Sequence, residues 1–128
     1  MEHNSLSMTT ARIRKFWRAR RFEKALAEVE RLLKKHADDP RLWNIRGDLI
    51  QLLDSTDGPP LAEAGKSYRK ALELNPNDLE AMEGLAHFYD AVELNRSKAR
   101  KFAGMYLEKA KQRVAEIVAE MERIVAGR

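Results

Sequence analysis

The sequence predicts an all-α fold, on three observations. Strong helix formers (Ala, Leu, Glu, Lys, Arg) dominate a chain that holds only four prolines and six glycines. No run of β-branched residues marks a strand. Apolar residues recur three and four positions apart along most of the 128 residues. A chain of this length has room for one domain with a usable core. Its 44% hydrophobic and 34% charged residues describe a folded, soluble chain and not a disordered one.

The pattern places six helices in antiparallel pairs, over residues 7–19, 22–36, 40–53, 61–74, 78–93 and 98–126. Ile13, Phe16 and Trp17 mark the first, and Ala25, Val29 and Leu32 the second. In the third, Trp43, Ile45, Leu49, Ile50, Leu52 and Leu53 recur mainly at helical spacing. Residues 54–60, with one glycine and two prolines, cannot continue that helix. Ala64, Tyr68, Ala71 and Leu72 share one face of the fourth. The turn Asn75-Pro76-Asn77-Asp78 ends it and starts the fifth, because the residue before a proline avoids the α region and Asp caps well. The sixth has no glycine or proline between Gly104 and Gly127 to stop it.

These helices repeat. Ala25, Ala64 and Ala103 are each 39 residues apart, as are Trp43 and Met82, Gly47 and Ala86, and Ile50 and Tyr89. Several independent offsets agreeing on one period is the signature of stacked supersecondary units. None of these hairpins can bury its apolar stripe alone, so they must stack. Small residues at Gly47, Ala64, Ala71, Ala86, Ala103 and Ala110 let neighbouring helices approach closely.

The segment from Ala64 to Asp78 resembles the second helix and inter-repeat turn of a tetratricopeptide repeat (TPR). Trp43, Gly47, Ala64, Tyr68 and Pro76 match the aromatic, glycine, alanine, second aromatic and proline of that family's signature. Leu85, Ala86 and Tyr89 match it again one unit later. The resemblance covers roughly residues 9–113. It implies about three helical hairpins stacked as a short right-handed solenoid in one domain, 1–128. The units are 7–39, 40–78 and 79–113, and an extended C-terminal helix runs over 114–126. The family period is 34, and the five extra residues here fall between the two helices of the second and third units. Arg46 stands where the family has leucine.

The resemblance also implies a function, the binding of a peptide or partner protein along a concave face lined by the first helix of each unit. Carried onto this sequence, that face holds Arg14, Trp17 and Arg18, then Arg41, Asn44, Asp48 and Gln51, then Glu80, Glu83, His87 and Asp90. One subset of the family grips a C-terminal carboxylate with Lys, Asn and Arg. The matching positions here are Thr10, Arg14, Ile45, Glu80 and Gly84, of which only Arg14 is cationic, so that grip is not expected. A scaffold, chaperone or assembly factor would fit equally.

Other chemistries fare worse. Glu83, His87 and Asp90 share a helical face, but one helix supplies too few ligands for a closed metal site. No phosphate loop, HExxH, CxxC or GxSxG is present, so neither catalysis nor a cofactor is expected. The alternative is nucleic acid. Seven basic residues from Arg12 to Lys24 surround Phe16 and Trp17, and such a patch can grip phosphates and stack bases. Against it, those aromatics sit at core spacing with Ile13 and Phe22, and RNA-reading helical repeats need more than three units.

Charge is divided along the chain. Residues 1–24 carry +5, residues 25–95 carry −6 and residues 96–128 carry +5. An acidic middle between basic ends can steer a charged partner. The absence of cysteine, of a signal-like leader and of a long apolar span predicts a cytoplasmic protein free of the membrane.

The last helix is too long for its repeat. Ala103, Leu107, Ala110, Val114, Ile117, Met121 and Ile124 follow a 4,3,4,3,4,3 spacing, a sustained heptad seam. The overhang exposes Val114, Ile117, Val118, Met121, Ile124 and Val125, more apolar surface than a monomer usually leaves wet. Either the helix bends back over the last repeat, or two copies form a homodimer through these strips. The absence of a helix breaker favours the second.

Overall fold

A computed structural model describes the backbone of residues 2–53 and 58–127, and side chains from Thr10 onward within those ranges. The described residues are all-helical and contain no strand. The helices are α1 (Glu2–Arg18), α2 (Phe22–Leu33), α3 (Pro40–Leu52), α4 (Ala62–Leu74), α5 (Leu79–His87) and α6 (Arg96–Val125). Each packs on the next in sequence, and α3 also meets α5.

Boundaries follow local chemistry. Asp39 caps α3 by accepting from the Arg41 amide at 3.0 Å, with Pro40 in the first turn, where its missing N–H costs nothing. Asp78 caps α5 through the Ala81 amide at 3.2 Å, and Asn95 caps α6 through the Lys98 amide at 3.1 Å. Helix α2 ends at Leu33, three residues before its expected end, and α1 begins at Glu2 rather than near residue 7. Part of the expected break at 54–60 lies outside the described residues.

The fifth helix differs from its expected unbroken course over 78–93. After His87 the chain widens into a π-helical turn, Phe88–Val92, and leaves it through Leu94 in the left-handed region at φ 54°. Asn95 N–H donates to the Tyr89 carbonyl at 2.8 Å and closes the bend. Phe88 and Tyr89, within the wider turn, are buried. Their rings meet edge to face at 5.2 Å, and Tyr89 stacks on Phe102 of α6 at 5.9 Å.

The core runs from Ile13 on α1 through Val29, Leu49 and Tyr68 to Phe102 on α6. At its centre the Tyr68 ring lies between two glycines. A Cβ added at Gly47 on α3 or at Gly84 on α5 would come within 2.6 Å of that ring. Gly65 on α4 stands in the same relation to Phe88. Arg46 is mostly buried and ties three helices together. It donates to Glu30 of α2 at 2.5 Å, and to Ser67 and Glu63 of α4 at 2.7 and 3.2 Å. A leucine there would leave the fully buried Ser67 hydroxyl with only its bond to the Glu63 carbonyl, at 2.9 Å.

Beyond Ala110 every described residue of α6 is exposed, so the helix does not bend back over its own stack. No helix is long and apolar enough to cross a membrane, among the described residues.

Two stability effects follow. Gly84→Ala must displace the Tyr68 ring and is expected to cost about 1–3 kcal/mol in chemical denaturation. Gly104→Ala, whose new Cβ meets nothing, should not destabilise the chain under the same conditions. Leu94→Gly relieves a left-handed residue and should stabilise the fold by up to about 1 kcal/mol, read as a higher denaturation midpoint.

Candidate functional site: an acidic groove between two helices

Six of the sequence-derived positions come together. Asn44, Asp48 and Gln51 on α3 face Glu80, Glu83 and His87 on α5 across a groove of about 470 Å³. Helical spacing puts 44, 48 and 51 on one side of α3, while Trp43 and Arg46 turn to the other. Leu52, Gly84 and the Tyr68 hydroxyl complete the lining.

The remaining positions fall elsewhere. Arg14 and Arg18 lie with Ala11 and Lys15 on the exposed side of α1, as a separate basic stripe. Trp17 is half-buried against the core, its ring edge-on to Phe22 at 6.2 Å. Arg41 folds back on Asp39, with its guanidinium 2.9 Å from the carboxylate. Asp90 lies in the π turn and borders a second cleft, of about 290 Å³, shared by His87, Ala99 and Ala103. The structure therefore joins the positions on α3 and α5 in one groove and leaves those on α1 apart.

Polar contacts on the groove floor are directional. Tyr68 donates its hydroxyl proton to Asp48 Oδ1 at 2.5 Å and accepts from Gln51 Nε2 at 2.6 Å. Asn44 is only 3% exposed and donates Nδ2–H to Asp78 Oδ2 at 2.9 Å, linking α3 to the cap of α5. Its Oδ1 is buried with no hydrogen-bond partner. A buried, unpaired acceptor is costly.

Electrostatics agree with this picture. Water reaches Asp48, but the carboxylate sits deep enough that crowding strips much of its hydration. That burial raises its pKa, opposed by the Tyr68 hydrogen bond and helped by Glu83. Glu80 is also raised, by burial first and then by Asp78, Asp48 and Glu83. No lysine or arginine lines the groove among the described residues, and His87 Nε2 lies 3.9 Å from Glu83. The same residues hold no cluster of three or more His, Cys, Asp or Glu side chains that could bind a metal ion. Sequence reasoning missed Tyr68 as a lining group and Gly84 as its seat. Tyr68 had been assigned wholly to packing, and a glycine 16 residues further along the chain carries no periodic signal.

No protein-family model, curated protein or solved structure matches the chain.

The raised carboxylates predict a pH effect of definite sign. A raised folded pKa favours the protonated form. Its stabilising contribution is full below the unfolded carboxylate pKa of about 4 and is lost as pH rises through the folded value. Asp48→Asn keeps an acceptor for Tyr68 and removes the charge. Its melting temperature should match or exceed the parent's at neutral pH, and the difference should vanish or reverse in acid. Glu28 behaves oppositely, because its hydrogen bond to Arg31 lowers its pKa.

Proposed function

We propose that the chain is a protein-binding helical-repeat module, of the tetratricopeptide kind that its sequence resembles. In this reading it docks a lysine- or arginine-bearing segment of another protein between α3 and α5. The convergence of acceptors carries the reading. Asp48, Glu80 and Glu83 line one groove with the side of Asn44, and no lysine or arginine lines it with them among the described residues. Like charges held together raise one another's pKa, and a bound cation would relieve that repulsion. A guanidinium or ammonium brings several donors to such a set of carboxylates. Amphipathic stems suit the site, since Leu52 and the Tyr68 ring give its walls an apolar part.

The groove fits a binder better than a catalyst. Burial and the hydrogen bond to Asp48 push the Tyr68 hydroxyl far above its usual pKa, so it acts as a fixed donor and not a proton shuttle. The basic stripe on α1 is a poorer candidate for nucleic acid, because Phe16 and Trp17 pack against the core and leave no free ring for base stacking.

Fluorescence anisotropy with short labelled peptides tests this. Lysine- or arginine-rich peptides should bind, and acidic ones of equal length should not. Glu83→Lys should weaken binding at least tenfold, while Arg14→Glu on the separate stripe should not weaken it. Affinity should fall as pH drops through the raised carboxylate pKa values, before ordinary surface carboxylates titrate. Equal binding of acidic and basic peptides, or an unaffected Glu83→Lys, would overturn the reading.

A further inference from the structure

The exposed part of α6 carries a pattern that its own fold does not use. Leu107, Val114, Ile117, Val118, Met121 and Ile124 are each between 47% and 58% exposed, and Val125 is 87% exposed. They form one stripe on a single unbroken helix whose described residues beyond Ala110 are all exposed, with only Gln112, Arg113 and Glu116 bordering a cleft beside Asn77 and Leu79. A contiguous strip of this size on a soluble chain marks a surface that something covers. Independently of the groove, we infer that two copies of this chain pair through α6, antiparallel, in one register.

That register follows from residue types. In a heptad frame Leu107, Val114 and Met121 take the a positions, and Ala110, Ile117 and Ile124 the d positions. Antiparallel helices set a against d. One alignment places Leu107 beside the partner's Ile124, Ala110 beside the partner's Met121, and Val114 beside the partner's Ile117. Each layer then occurs twice about the two-fold axis, and the long Met121 meets the small Ala110. The flanks agree with this alignment. Arg113 comes opposite the partner's Glu120, twice, giving two interchain ion pairs where the seam is polar. Sliding by one heptad would instead set Glu120 against the partner's Glu120. A parallel pairing would place Arg113 and Glu120 beside valines and form neither ion pair.

A glycine points the same way. Gly104 lies inside α6 at a position where an added Cβ would meet nothing, so packing within the chain does not call for it. In the antiparallel register it stands opposite the partner's Val125, the most exposed apolar residue of the strip, and leaves room for it. On the same seam, Ala103 borders the cleft between α5 and α6, so the stripe runs into a recess rather than a wall. The paired strips bury on the order of 1,000 Å² in total, at the low end for specific association, so the dimer belongs in the micromolar range.

The chain has no cysteine, which makes the test clean. Sedimentation equilibrium of the full chain should show a mass rising from 14.8 kDa toward twice that across the micromolar range. Arg113→Glu and Glu120→Arg should each stay monomeric at concentrations where the parent dimerises. An equimolar mixture of the two should dimerise, because both ion pairs then re-form, one in the parent's sense and one with its charges exchanged. For register, Val114→Cys mixed with Ile117→Cys should give a disulfide-linked heterodimer under mild oxidation, and Val114→Cys alone should not cross-link. All four substitutions lie on the exposed half of α6, and an unchanged helical circular dichroism signal confirms that each variant is folded. A monomer at every concentration overturns the pairing. Dimeric charge variants, or efficient self-cross-linking of Val114→Cys, overturn the antiparallel register.

Discussion

The rest of the structure depends on one close contact, the Tyr68 ring held between Gly47 and Gly84. Neither glycine has an unusual backbone; each is there because a Cβ would stand 2.6 Å from the ring. The contact sets how near α3 and α5 come to α4, and so how wide the groove between them is. It also fixes the hydroxyl at the end of the ring, where it meets Asp48 and Gln51. Core packing and groove chemistry thus share one side chain. A smaller residue at 68 would loosen three helices and remove the donor that keeps Asp48 in place.

The two faces of α3 solve opposite electrostatic problems. On one, Arg46 meets Glu30, Glu63 and Ser67, and every charge finds a partner. On the other, Asp48 looks toward Glu80 and Glu83 with no lysine or arginine beside them among the described residues, and Asn44 keeps an unpaired oxygen. Folded chains generally satisfy buried polar groups. The Asn44 oxygen departs from that rule beside a network in which every charge is paired.

Much of this was legible in the sequence, for identifiable reasons. Helix number and order followed from strong periodicity and from caps such as Asp39 and Asp78, whose chemistry is local. The co-location of Asn44, Asp48 and Gln51 followed from spacing on one helix, and that of Glu80, Glu83 and His87 from spacing on another. What spacing could not give was the fate of single side chains. Trp17 and Arg41 share a sequence offset with groove residues, but one found a ring to pack on and the other a carboxylate two residues away. The π turn was equally hidden, because Phe88, Tyr89 and Val92 read as ordinary helix until Tyr89 has to meet both Arg69 and Phe102.

That turn explains how two surfaces can coexist at one helix end. His87 borders both the acidic groove and the α5–α6 cleft, and Asp90, three residues on, borders only the cleft. In a regular α-helix residues three apart lie on the same face. The extra residue of a π turn rotates the following side chains away from that register. Asp90 is therefore carried from the groove side, where sequence spacing puts it, to the side facing α6. The groove keeps its three carboxylates close together, and the cleft beside Ala99 and Ala103 gains an acidic rim facing Arg96 and Arg100. One local change in helical pitch thus divides a single run of polar residues between two surfaces.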